Sequence, residues 1–142
     1  MGEEQRLAVQ RFFEEAFNAG NIRILPELIA PEHISHLPTG DHYGPEGVRI
    51  DIAGFRAAFP DLKLVLDDVI ETSETVVYRF TARGTHDGPF MGVAPTGRRV
   101  RVDGIGIDRF CDGKMVERWV QYDRVGLLQQ LGAFPGFCAC AE

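Results

Sequence analysis

Three of the four histidines in this chain fall close together, between Glu32 and Tyr43. An unperturbed imidazole titrates near neutral pH, so His36 and His42 are candidates for a general base. His33 stands at the exit of a predicted helix and is expected at the surface. The three do not form a convincing metal site, because no carboxylate or fourth ligand stands at a matching spacing. The cluster therefore favours proton transfer without a metal or a cofactor.

Carboxylates on the last two predicted strands are the candidate acids. Asp103 shares strand parity with Ile105 and Ile107, so it is either solvated on the outer face or a carboxylate in a pocket. Asp108 lies near a hairpin end and is expected in solvent. Asp123 either caps a C-terminal helix or turns inward as an acid. Burial would raise the pKa of such a carboxylate and suit it to both halves of a proton transfer.

The elements that must position these groups begin, at the N-terminal end of the chain, with predicted helices. Apolar residues at helical spacing predict helices over Glu3–Asn18 and Ile22–Ala30, and a third that starts at Gly44. The buried stripe of the third helix consists of Val48, Ile52, Phe55 and Phe59. Between the second and third helices, the chain is expected to be irregular, with a short strand around Ile34–His36.

Four long strands follow, because the apolar period changes to two. They are Leu62–Glu71, Glu74–Gly84, Arg99–Phe110 and Lys114–Asp123, with a loop at Thr85–Gly97 and a two-residue turn at Asp112-Gly113. A short helix, Val125–Leu131, comes last. Helices followed by hairpins indicate an α+β fold, a curved antiparallel sheet covered on one face by the N-terminal helices. We expect one domain over residues 1–142, in which the sheet forms a cone that encloses a pocket.

The last strand, Lys114–Asp123, is expected to form one wall of that pocket. Strand parity divides its side chains into an inward set, Val116, Arg118, Val120 and Tyr122, and an outward set, Glu117, Trp119 and Gln121. An outward tryptophan favours a partner surface, and we expect a homodimer. Phe55, Phe59 and Phe90 are expected to complete the wall and the mouth of the pocket.

Most of the chain resembles the SnoaL-like family of polyketide cyclases, within the NTF2-like superfamily. The resemblance is carried by Phe55–Leu62, His86–Arg99, Ile107–Asp123 and Gly126–Gly132. It implies an NTF2-like cone and an intramolecular aldol ring closure on an aromatic polyketide ester, carried out by a carboxylate in an apolar cavity. It also identifies His36 with the family's pocket-edge histidine. The family's catalytic aspartate directly follows the strand tryptophan, where this chain has Val120.

Two hypotheses on function follow. The first is a cofactor-free cyclase or isomerase that acts on an apolar carbonyl compound by general acid/base catalysis. Its proton carriers are His36, Asp103 and Asp123, and Tyr122 or Arg118 polarises an oxygen. The second is a non-catalytic module that binds a small hydrophobic or aromatic molecule, or a dimeric accessory domain, because Val120 replaces the acid. Epoxide hydrolysis, found elsewhere in the superfamily, is disfavoured for the same reason.

The composition argues against several classes of partner. The 142 residues carry a formal net charge of −6 without a basic run, which disfavours nucleic acid and anionic membranes. No run of about 18 apolar residues that could span a bilayer occurs. The first ten residues lack the apolar segment of a signal peptide, and the three cysteines form no disulfide framework, so we expect a reducing cytoplasm. Cys138 and Cys140 are expected as free thiols in a frayed tail.

Overall fold

The computed structural model describes residues 2–133. In this range the helices are α1 (Gly2–Arg11), α2 (Leu25–Leu28), α3 (Gly44–Ala58) and α4 (Arg124–Gln130). A π-helical segment, Phe12–Asn18, continues α1, and a 3₁₀ turn, Ile22–Ile24, precedes α2. Pro45 stands in the first turn of α3, where its missing N–H had no helical partner to lose.

Six strands of the same range form one curved sheet. They are β1 (Ile29–Leu37), β2 (Gly40–Tyr43), β3 (Lys63–Glu71), β4 (Thr75–Thr85), β5 (Arg99–Cys111) and β6 (Lys114–Tyr122). Their order across the sheet is β2-β1-β6-β5-β4-β3. β1 and β6 pair in parallel, and the other neighbouring strands pair antiparallel. The predicted α+β fold, a curved sheet with N-terminal helices, is confirmed.

β1 is the largest departure from the predicted elements. The sequence predicts a helix up to Ala30 and only a short strand at Ile34–His36, whereas β1 begins at Ile29. Pro31 lies where the register of β1 against β6 shifts, so its missing N–H removes no bond from the ladder. The sheet is therefore mixed rather than purely antiparallel. Its parallel pair joins strands from opposite ends of the chain, which no local pattern reveals.

β5 alternates strictly between a buried and an exposed face. Gly104 and Gly106 lie on its buried face, under the rings of Phe80 and Tyr78 from β4. A Cβ atom at Gly106 would stand 2.5 Å from the Tyr78 ring, so the packing requires glycine there. Phe13 packs edge-on against both rings, with centroid distances of 5.2 Å to Tyr78 and 5.7 Å to Phe80. These contacts hold the N-terminal helical layer on the inner face of the sheet.

Two short features flank β6, a turn before it and a helix cap after it. Asp112 and Gly113 join β5 to β6 with φ angles of 52° and 82°, the left-handed conformation that a two-residue hairpin needs. Asp123 precedes α4, and its carboxylate accepts a hydrogen bond from the backbone N–H of Gly126 at 2.8 Å. The predicted turn and the predicted N-cap are both confirmed.

Within residues 2–133, no helix is both long enough and apolar enough to cross a bilayer. Cys111 is an exposed free thiol. The expectations for Cys138 and Cys140 concern residues outside the described range.

Candidate functional site

A cavity of about 460 Å³ lies between the inner face of the sheet and α3. Its wall is mostly apolar. The six residues predicted to contact a ligand all line it: Phe55, Phe59, Phe90, Arg118, Val120 and Tyr122. His42 and Asp51 also line it. Any chemistry in this cavity must therefore come from a small number of polar side chains.

The parity predicted for β6 holds from Arg118 to Tyr122 and fails at Val116. A bulge near Val116 shifts the register of β6 against β5, and Met115 is the fully buried residue there. One extra residue in a strand exchanges the two faces on either side of it. The cavity wall is thus built from the second half of β6.

His42 and Asp51 form an ion-pair contact on the cavity wall. His42 lies on β2 and Asp51 on α3, and Nδ1 of the imidazole is 2.5 Å from Oδ1 of the carboxylate. The first turn of α3 packs tightly on β2, since a Cβ atom at Gly47 would stand 3.1 Å from Cβ of His42. The second oxygen of Asp51, Oδ2, is buried and has no hydrogen-bond partner within residues 2–133.

The environment of Asp51 shapes what this pair can do. Burial raises the pKa of Asp51, while the charges of His42 and, to a smaller extent, Arg118 oppose that rise. When the imidazole is neutral, a carboxylate that accepts its Nδ1–H fixes the tautomer and leaves Nε2 with its lone pair. The pair can therefore take a proton from a molecule bound in the cavity and return it.

A second polar group on the cavity wall is Arg118 of β6, which is separated from β2 by β1 and has two buried partners. Its Nε is 3.6 Å from Oδ1 of Asp108, and the Tyr78 hydroxyl donates to the same oxygen at 3.1 Å. The guanidinium also lies over the Phe12 ring, 4.8 Å from its centroid. Within residues 2–133 the Nε of Arg118 and Oδ2 of Asp108 have no hydrogen-bond partner. The cavity thus contains a buried cation with unused donor capacity.

Asp108 is fully buried, although the sequence places it in solvent. The alternation of β5 runs unbroken to its end, so Asp108 shares the inner face with Gly104 and Gly106. Burial raises the pKa of Asp108 to about 6, and Arg118 limits that rise. Asp108 is therefore mostly ionised at neutral pH and serves as the counter-ion of Arg118.

None of the three predicted proton carriers lines the cavity. His36 lies on the outer face of the sheet, because β1 and β6 pair in a register that sets His36 beside Trp119. Its ring stacks on the Trp119 ring at a centroid distance of 5.3 Å. Its Nδ1 is 2.8 Å from Asp41 and its Nε2 is 2.7 Å from Glu117.

The two predicted aspartates are also on the outside. Asp103 is exposed, with Oδ1 3.5 Å from Nη2 of Arg101 and 3.4 Å from the Thr81 hydroxyl. Of the two alternatives that the sequence left open for Asp103, its exposed position matches the solvated one. Asp123 is exposed and is occupied as the cap of α4. The structure brings neither to His42.

His33 is buried rather than at the surface, with 1% of its area exposed. Its Nδ1 is 3.0 Å from the carbonyl oxygen of Met115 and its Nε2 is 2.8 Å from the Ser35 hydroxyl. The carbonyl can only accept, so Nδ1 carries the proton and Nε2 accepts from the hydroxyl. Burial lowers the pKa of His33 to about 4, and the ring joins β1 to β6 as a neutral group.

Asp51 is the site residue that the sequence prediction missed. It stands three residues after Val48 and four before Phe55, so helical spacing places it on the buried stripe of α3. A carboxylate on such a stripe, next to a histidine at the end of the preceding strand, was the available signal. Asp108 gave a similar signal through its parity with two glycines in β5.

Comparisons with known proteins agree with this architecture. The SnoaL-like polyketide cyclase family matches residues 7–131. Aklanonic acid methyl ester cyclase AcmA of Streptomyces galilaeus is 32% identical over 132 residues, which cover 91% of this chain and 91% of that protein. Nogalonic acid methyl ester cyclase of Streptomyces nogalater is 30% identical over 120 residues, 82% of this chain and 90% of that protein. The crystal structure of wild-type IdmH from Streptomyces antibioticus superposes with a TM-score of 0.80 at 37% identity, covering 90% of this chain and 98% of IdmH.

Proposed function

We propose that this chain, which belongs to the SnoaL-like polyketide cyclase family, closes a ring on an apolar, carbonyl-bearing substrate by general acid/base catalysis. The substrate class is a polyketide ester: the family is one of polyketide cyclases, and the two cyclases that the chain matches are named for methyl esters. The observation that carries the proposal is the His42–Asp51 pair in the same cavity as the buried cation of Arg118.

The first step is removal of a proton from a carbon next to a carbonyl. Nε2 of His42 takes this proton, and Asp51 stabilises the imidazolium through Nδ1–H. The electron pair moves onto the carbonyl oxygen and gives an enolate. The enolate carbon then attacks a second carbonyl of the same molecule, so one carbon–carbon bond forms. His42 returns the proton to the new alkoxide, and the product is an isomer of the substrate.

Arg118 supplies the positive charge for the oxygen at which negative charge develops. A fixed cation in a water-poor site stabilises such charge without reorganisation. Asp108 compensates the cation in the resting protein, so a neutral, apolar substrate meets a site with little net charge. Tyr122 is a second donor on the wall, because burial raises its pKa and keeps its hydroxyl protonated.

The test uses His42→Asn, because the asparagine amide stands where Nδ1 was and keeps a donor toward Asp51 while it removes Nε2. The substrates are the methyl esters of aklanonic acid and nogalonic acid, and the readout is conversion to an isomer of unchanged mass. We expect kcat to fall by about a hundredfold to ten-thousandfold, the usual contribution of a general base. Arg118→Gln should lower kcat by about a hundredfold or more.

Glu46→Gln is the matched control, since it breaks the exposed Glu46–Arg49 ion pair on the helix that carries Asp51. Its turnover should equal that of the wild type. Full turnover in His42→Asn would remove His42 from the mechanism. A folded His42→Asn protein is confirmed by an unchanged circular dichroism spectrum.

The second candidate is a container that binds such molecules without converting them. The observation that favours it is Val120, which contributes methyl groups to the cavity wall where the family's pattern has its acid. Native mass spectrometry with the same two esters separates the candidates. A bound ester that the wild type never converts would favour the container, whereas conversion that depends on His42 would exclude it.

A further inference from the structure

β2 is a short edge strand that carries the proposed base. It has four residues, Gly40–Tyr43, and within residues 2–133 it pairs only with β1. Successive side chains of a strand point to opposite faces, so His42 reaches the cavity while its neighbour Asp41 lies on the outer face. Whatever holds Asp41 from outside therefore also sets the position of His42 inside.

His36 of β1 makes that outer contact. One ring nitrogen, Nδ1, is 2.8 Å from Oδ1 of Asp41, and the other, Nε2, is 2.7 Å from Oε2 of Glu117 on β6. Glu117 is itself bound by Nη1 of Arg109 on β5 at 3.3 Å. Trp119 lies between the two cationic groups, under the His36 ring and with the Arg109 guanidinium 5.1 Å from its centroid. The ring thus bridges the edge strand to the central strands of the sheet.

We propose that His36 is a positioning residue for His42: as an imidazolium between Glu117 and Asp41, it holds β2 where His42 meets Asp51. The inference rests on the proposed function in treating His42 as the base. It assigns His36 a role on the reaction from the outer face of the sheet, through the backbone of β2.

The protonation state follows from the two contacts. Both carboxylates accept, so both ring nitrogens must donate, and only the imidazolium does so. The hydrogen bond to Glu117, then the one to Asp41, raises the pKa of His36 above its ordinary value of 6.5. A group whose pKa is raised by folding stabilises the structure below its unfolded value and loses that effect as the pH rises through the folded value. The bridge is therefore complete at slightly acid pH and opens on the alkaline side.

The groups that face His36 from each packed element are few. Asp41 comes from β2, Glu117 from β6, and Arg109 of β5 acts through Glu117. His33, three positions earlier on β1, stays neutral at these pH values because its pKa is lowered to about 4. On the inner face, β2 also carries His42 in contact with Asp51 of α3, so the variants of His36 below are needed to separate its contribution from that of this pair.

The experiment needs no substrate. Amide hydrogen exchange of residues 41–43 and the ring signals of His42 are followed by NMR between about pH 5.5 and about pH 9. In the wild type, the protection factors of β2 should fall about tenfold as His36 loses its proton, the order expected for one charge-assisted hydrogen bond. The His42 ring signals should change over the pH range in which His36 loses its proton.

Three variants make the result specific. His36→Gln keeps a donor near Glu117 but loses the one to Asp41, so β2 should be poorly protected at every pH. His36→Arg donates to both carboxylates at every pH, and it should keep β2 protected on the alkaline side. Glu46→Gln changes an ion pair beside β2 without touching His36 and should match the wild type.

If β2 in His36→Gln is protected as well as in the wild type on the acid side, the positioning role is overturned whatever the turnover assay shows. Failure of the proposed base would give a different result from failure of the bridge. If β2 responds as expected but His42→Asn retains full turnover, the bridge stands and the proposed base fails.

Discussion

Replacing Asp108 by asparagine separates the charge of a buried carboxylate from its shape. Asp108 is fully buried, accepts from the Tyr78 hydroxyl and lies 3.6 Å from Nε of Arg118. Asparagine keeps the size and an oxygen acceptor for Tyr78, but it cannot ionise. Its free energy of unfolding therefore lacks the part of the pH dependence that comes from Asp108.

The magnitude follows from the pKa of Asp108, which burial raises from 3.8 to about 6 against the pull of Arg118. Between these values the folded protein holds a proton that the unfolded chain has released, so stability from this group falls as the pH rises. One pKa unit corresponds to about 1.4 kcal/mol, which makes about 3 kcal/mol over the window. The attraction of Arg118 is already contained in this pKa, so loss of the counter-ion in Asp108→Asn adds no further pH dependence.

We therefore expect the stability of Asp108→Asn, measured relative to the wild type, to rise by about 3 kcal/mol from about pH 4 to about pH 7. Urea unfolding followed by the fluorescence of Trp119, the single tryptophan, gives the free energies. The His36 ring stacks on Trp119, so the fluorescence can change with the protonation of His36 as well as with unfolding. Circular dichroism therefore serves as the second probe of unfolding. Tyr78→Phe is the companion variant. It removes a hydrogen bond that lowers the pKa of Asp108, so the window should extend to higher pH.

A stability difference that stays constant over this pH range would refute the reasoning, because it would mean that Asp108 has the same pKa in the folded and unfolded chains. A difference that falls with pH would be a stronger contradiction. It would mean that Arg118 outweighs burial and that the pair stabilises the fold as charges.

Two glycines allow the same chemical change to be tested with opposite expected signs. Gly106→Ala should destabilise the protein by about 1–3 kcal/mol, because its Cβ would stand 2.5 Å from the buried Tyr78 ring and force it to move. Gly54→Ala should stabilise it by about 1 kcal/mol, because Gly54 lies within α3, its Cβ meets no atom within 4 Å, and alanine is the better helix former. Urea midpoints at one pH measure both, and equal effects in the two variants would contradict the packing described for β5.

Features set by neighbouring residues could be predicted from the sequence. The turn at Asp112-Gly113 and the cap at Asp123 depend on contacts within three positions along the chain. The alternation of β5 is visible residue by residue, and with it the inward position of Arg118, Val120 and Tyr122 on the paired strand. Predicting such features requires only the backbone preferences of individual residues and the period of the apolar residues.

Features that depend on pairing between distant parts of the chain could not be predicted from the sequence. β1 is a strand because it lies against β6, and the sequence around Pro31 gives no sign of this partner. The face of His36 follows from the same register, since a shift of one residue would turn it toward the cavity. The sequence names His42 as a candidate base but not its partner Asp51, because the two residues lie on different elements. Two local patterns did point to buried carboxylates: the spacing of Asp51 on the buried stripe of α3 and the parity of Asp108 with Gly104 and Gly106 in β5.

An uncharged residue at position 120 fits the neighbouring ion pair of Asp108 and Arg118. In the β5–β6 ladder Gly106 pairs with Val120, and one step along the same face Asp108 pairs with Arg118. A carboxylate at position 120 would be a diagonal neighbour of Asp108, at a distance of about 7–8 Å. Two buried carboxylates near one cation raise each other's pKa, and both would not stay ionised at neutral pH. With valine there, Asp108 keeps Arg118 as its partner. In the proposed reaction the proton carrier therefore comes from other elements, and the polar pair that β2 and α3 bring to the cavity wall is His42 and Asp51.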